Sequence, residues 1–244
     1  TAVWCLHGAM VLYSGELASA SAIDVADAFL AYVDNQPLQF TQTMTLLAAA
    51  AVVSALGIRV GMGLLAWICL PAVAITLLGV LDFVFVYTDL RPVEGFLFSN
   101  QASDWRLDSL WQALSAAGVT LGAGMGLGMA LGAQAPTGLP WARSVLAVAV
   151  IDTTFLMITA VIVTALFFES NVAPVQGLAA IFVGLPYAFA NLPLGETYGA
   201  LFFGAMALVA WSAAVVLLEP MVTLLGHDWQ LGRGRGAVLT ATLV

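Results

Sequence analysis

Residues 64–88 read LLAWICLPAVAITLLGVLDFVFVYT, a run with one formal charge, Asp82. A segment of this kind has few ways to fold. Hydrocarbon offers no water to its backbone N–H and C=O groups, so it crosses a bilayer as a helix, which takes about 20 residues. Comparable runs recur along the chain. We read spans at about 2–22, 42–57, 64–88, 109–132, 144–168, 198–224 and from 236 onward. Barrel strands, about ten residues of alternating polarity, are not visible. Composition agrees: 62% of residues are hydrophobic, 8% are charged, and lysine is absent, whereas soluble domains carry about a quarter charged residues. The chain is therefore expected to be an all-α polytopic membrane protein whose partner is the lipid bilayer, with 1–244 as one transmembrane helical domain. A net charge of −8 excludes nucleic acid as a partner.

The segment NVAPVQGLAAIFVGLPYAFANLPLGE, broken by Pro174, Pro186 and Pro193, is too interrupted to span. We expect about 170–197 to be an extracellular loop holding short helices. The chain opens on Thr1 inside an apolar run and stops at Val244 early in another, so the natural protein is expected to continue at both ends. Cys5 and Cys69 fall inside spans and read as buried thiols packing as small apolar groups.

Charge separates the connections into two sets. Arg59, Arg143, Arg233 and Arg235 face only Asp228 in one set; in the other, Arg91 and Arg106 stand among Asp24, Asp27, Asp34, Asp89, Glu94, Asp104, Asp108, Glu169 and Glu196. The positive-inside bias assigns the first set to the cytoplasm, which implies a multi-pass protein of the inner (plasma) membrane.

A charge at membrane depth is a functional candidate by default. Asp152 lies some ten residues past Arg143, roughly 15 Å deep at 1.5 Å per residue. Thr153 and Thr154 adjoin it, with Ser144 and Thr159 farther along. Carboxylate, hydroxyl and carbonyl oxygens suit Na⁺ or a transferable proton; a structural hydrogen bond is the bland alternative. Glu16 and Glu219 are weaker candidates, Glu219 for the proline that follows it. Asp82 and His7 read as capping or hydrogen-bonding groups without a role.

The stretch GVTLGAGMGLGMALGAQ, residues 118–134, sets weak helix formers inside an apolar run. Gly118, Gly122 and Gly126 form one GxxxG row, and Gly124, Gly128 and Gly132 a second, on nearly opposite faces. Spacing leaves two readings open: close packing on both sides, or an unwound segment whose free carbonyls and N–H groups bind a ligand.

Four stretches, in order, resemble the neurotransmitter:sodium symporter family, in its bacterial sodium-dependent amino-acid transporters. They are GIRVGMGLLAWICLP, FLFS, TLGAGMG and LPYAFANLPLGETYGALFFGAMALVAWSAAVVLLEP. The resemblance runs from that family's third helix to the start of its ninth. It implies a partial inverted-repeat, five-plus-five helix transporter fold without the first two helices, and Na⁺ without an organic cofactor. It implies substrate contact at Thr120, Leu121, Gly122, Ala123 and Gly124, a first sodium site at Gly118 and Asp152, and a second at Ser212, Ala213 and the Val209 carbonyl. The sequence departs from the pattern where Gly118 and Ala213 each lack a hydroxyl. Ala117, Ala123 and Val11 replace aromatics, which implies a wider pocket.

The expected function is a sodium-coupled secondary transporter of amino acids or related small amines, alternating access around a midplane site. The alternative is a transport-inactive receptor or scaffold. An enzyme is not expected, since no metal-ligand spacing or nucleophile–base pair is present; a homodimer is compatible with this reading.

Overall fold

The computed structural model describes residues 1–99, 107–120, 132, 138, 140–172, 177–228 and 233–243. Among these the elements are helices. In chain order they are α1 (Ala2–Ser14), α2 (Ala22–Asp34), α3 (Gln36–Ala55), α4 (Gly63–Tyr87), α5 (Arg91–Phe98), α6 (Leu107–Thr120), α7 (Trp141–Glu169), α8 (Leu185–Ala190), α9 (Gly195–Asp228) and α10 (Arg233–Leu243). π-helical turns precede α4 (Ile58–Met62) and α8 (Ala180–Gly184).

Among the described residues, four helices are long and apolar enough to cross a membrane: Gln36–Ala55, Val60–Tyr87, Trp141–Glu169 and Gly195–Leu224. The chain is a multi-pass, all-α membrane protein. Large apolar side chains face outward on them, as lipid permits: Trp67, Ile75, Val145 and Leu146 are all exposed.

Two expectations from the sequence need correction. The first run does not span 2–22 as one helix. Gly15 adopts φ +73°, a left-handed C-cap that ends α1 after 13 residues, and its N–H donates to the Leu12 carbonyl. The second expected span begins six residues earlier than read, at Gln36. The connection between these spans is mostly helical. Ser21 and Asp24 form a capping box at the start of α2: the Asp24 N–H donates to Ser21 Oγ at 3.2 Å and the Ser21 N–H donates to Asp24 Oδ2 at 2.9 Å. Asn35 then caps α3, accepting from the Leu38 N–H.

The long α9 organises the packing and touches α1, α3, α4, α8, α10 and the first π turn. At about 1.5 Å per residue its 34 residues extend about 50 Å. Phe202 and Phe203 are fully buried in its first half, beside Leu12 of α1, Phe83 of α4 and Phe189 of α8. Small residues permit the close α1–α9 approach. A Cβ on Gly199 would lie 2.8 Å from the Phe189 ring and 3.0 Å from Leu12. In the first π turn the Gly61 N–H donates to the Gly57 carbonyl at 2.7 Å, and a side chain on Gly61 would run into the Val53 carbonyl.

Candidate functional site

The candidate residues fall on three helices. Gly118 and Thr120 lie at the end of the described part of α6; Leu121, Gly122, Ala123 and Gly124 lie outside the described residues. A side chain on Gly118 or Gly132 would meet nothing within 4 Å among the described residues, so the packing reading gains nothing at either position.

Asp152 is half-buried on α7. Helical spacing sets Ser144, Phe155 and Thr159 on its face, and all three are half-buried too. Thr153 and Thr154 point elsewhere. They line an open groove with Ala149, Val150, Met157 and Ile158. The hydroxyl hydrogens are spent inside the helix: Ser144 donates to the Pro140 carbonyl (3.3 Å), Thr154 to Val150 (2.7 Å) and Thr159 to Phe155 (2.9 Å). A hydroxyl that donates keeps lone pairs that can face a cation. At about 1.5 Å per residue Thr159 lies roughly 10 Å and Ser144 roughly 12 Å along the helix from Asp152, so these hydroxyls share its face without sharing one ion.

On α9, Ser212 donates its Oγ hydrogen to the Val209 carbonyl at 2.8 Å. Two of the expected second-site oxygens are thus brought together within one helical turn. Ala213 is exposed beside them and offers no side-chain oxygen. The donor chemistry fits a sodium ion with one ligand fewer. Asp152 lies on α7, which packs on α4, α5 and α8, and the Ser212–Val209 pair lies on α9. Among the described residues, no three His, Cys, Asp or Glu side chains cluster as a metal site would need.

Sequence reasoning ranked Glu219 below Asp152 as a weaker candidate, and the structure makes it conspicuous. Its carboxylate is 1% exposed and accepts from Ser54 Oγ at 3.2 Å, across 165 residues of sequence. The signal available beforehand was an acidic residue in a span, next to Pro220. Nearby, Trp211 Nε1 donates to the Leu46 carbonyl at 2.9 Å and pins α9 to α3. His7, read as a hydrogen-bonding group, instead stacks on Tyr32, with ring centres 3.6 Å apart and planes 7° from parallel.

At the acidic ends of the helices, carboxylates tie loops to helices. Glu169, closing α7, accepts from the Asp89 N–H ahead of α5 at 3.2 Å. The Ser21 hydroxyl and N–H hold the Asp24 carboxyl below the usual carboxylate range.

No family profile matches the chain. A stretch of 73 residues, 30% of the chain, is 29% identical to an uncharacterized sodium-dependent transporter of Haemophilus influenzae, covering 16% of that protein. Among solved structures, MhsT in complex with L-phenylalanine matches 99% of the chain with a TM-score of 0.79 at 25% identity. The chain spans 55% of MhsT's length. The architecture is a partial five-plus-five transporter fold.

Proposed function

From a chain that resembles the neurotransmitter:sodium symporter family in its ordered motifs and in its fold, we propose a sodium-coupled symporter of amino acids or related small amines. The observation that carries this reading is the fold likeness over 99% of the chain to MhsT, solved in complex with L-phenylalanine. The name of the Haemophilus relative supports sodium dependence.

In this reading Asp152 supplies the charged oxygen of one ion site. Ser212 Oγ and the Val209 carbonyl, already 2.8 Å apart, supply neutral oxygens of another. Bound sodium would supply positive charge at membrane depth, which these oxygens offset. Thr120 to Gly124 would meet the substrate. Alanine at 117 and 123 leaves room for a large side chain, so aromatic amino acids are the first substrates to try. The protein works without enzymatic chemistry, as a multi-pass protein of the inner (plasma) membrane. Residues 170–197 form its extracellular loop, and a homodimer is compatible with this scheme.

Uptake of labelled L-phenylalanine into proteoliposomes, with and without an inward Na⁺ gradient, tests the proposal. Accumulation only with the gradient supports it. Equal uptake in both removes the sodium coupling. Binding without accumulation in either would instead identify a receptor or scaffold.

A further inference from the structure

The outward face of α4 carries one charge. Ile68, Ile75, Gly79, Asp82 and Val86 fall on a single stripe at helical spacing, and all of them are exposed. The opposite face, with Cys69, Val73, Leu77, Val80 and Val84, is buried where α4 packs on α7 and α9. Asp82, which reads from the sequence as a capping or hydrogen-bonding group, therefore points away from the bundle. Among the described residues no hydrogen bond or ion pair reaches its carboxylate.

Depth decides what can answer that charge. The apolar helix Val60–Tyr87 has 28 residues. At 1.5 Å per residue it is about 42 Å long, the thickness of a bilayer with its headgroups. Asp82 lies five residues before Tyr87, about 7.5 Å in from the helix end. The headgroup layer is about 5–7 Å thick on each side, so Asp82 stands at its base, against the hydrocarbon. A charge there is costly unless an opposite charge meets it. A second copy of the chain does not supply one, since twofold pairing of this stripe around Gly79 would set two Asp82 carboxylates against each other. The ammonium of a lipid headgroup lies at the right level, has the right sign and carries N–H donors for a charge-assisted hydrogen bond. One turn deeper, a Cβ on Gly79 would meet nothing within 4 Å among the described residues, which leaves a recess. Ile75 and Ile68 continue the stripe toward the membrane centre as apolar surface.

We propose that this stripe of α4 binds a phospholipid with a primary ammonium headgroup. The Asp82 carboxylate accepts from the ammonium, the recess at Gly79 takes the glycerol region, and an acyl chain lies along Ile75 and Ile68. The site shares no residue with the expected ion and substrate ligands, so it stands or falls independently of the transport reading.

The test is native mass spectrometry of the full-length protein in detergent, titrated with phosphatidylethanolamine and with phosphatidylglycerol of the same acyl chains. Phosphatidylethanolamine should bind the wild type roughly fivefold more tightly, as one interfacial charge pair would give. Asp82→Asn keeps the side chain's shape and should abolish that preference. Glu94→Gln removes an exposed carboxylate from α5 and should leave it intact. Gly79→Leu fills the recess and should weaken binding of both lipids. Asp82 and Gly79 are exposed, so neither change disturbs the buried core. A preference that survives Asp82→Asn, an equal loss in Glu94→Gln, or unchanged affinities in Gly79→Leu would each overturn the proposal. Equal affinities in the wild type would overturn it too, and would assign the cation at Asp82 to a basic side chain of another membrane helix.

Discussion

Asp152 and Ser212 carry different burdens in a sodium site, one a full charge and the other a neutral oxygen, and their substitutions should separate accordingly. Asp152→Ala should abolish sodium-dependent uptake, and retained dependence would return Asp152 to a structural hydrogen bond. Ser212→Ala should raise the Na⁺ concentration for half-maximal uptake about tenfold, the equivalent of roughly 1.4 kcal/mol, with the maximal rate little changed. Asp24 gives a prediction in pH. Its folded value is depressed by Ser21, so its contribution is present above the unfolded value and is lost as pH falls through the folded one. Amide exchange in the first turn of α2 should therefore quicken in acid, and Asp24→Ala should remove that dependence. At this scale the sequence was partly legible. Asp152 stood out as a charge in an apolar run. Glu219 did too, but its partner Ser54 lies 165 residues away, and no local pattern shows that the two meet.

Helices were read best where lipid alone decides them. The runs at 64–88, 144–168 and 198–224 became Gly63–Tyr87, Trp141–Glu169 and Gly195–Asp228, because nothing but a helix satisfies a backbone in hydrocarbon. The run at 2–22 failed as a single span because apolarity hid a C-cap at Gly15 and a new helix start at Ser21. The Ser-x-x-Asp capping signal of α2 was present in the sequence, within a stretch read as a connection. The close contact falls in a GxxxG pair that the reading of the sequence passed over, Gly195 and Gly199: a Cβ on Gly199 would meet Phe189 and Leu12, whereas Gly204 has nothing within 4 Å. Gly199→Ala should therefore lower stability by about 1–3 kcal/mol. Gly204→Ala should be neutral or slightly stabilising, since alanine is the better helix former. Thermal unfolding in detergent compares the two; equal effects would contradict the α1–α9 packing described above.

Over the whole molecule, the likeness to MhsT spans 99% of this chain and 55% of that one. α9 links the scaffold's parts: its first half carries the aromatic core, its middle the Ser212–Val209 pair, and its second half Glu219. The central claim, sodium-coupled transport of an amino acid, is tested most directly by uptake of labelled L-phenylalanine into proteoliposomes of the full-length protein. Accumulation driven by an inward Na⁺ gradient and abolished by Asp152→Ala is the predicted result. Uptake that is the same with and without the gradient would contradict it.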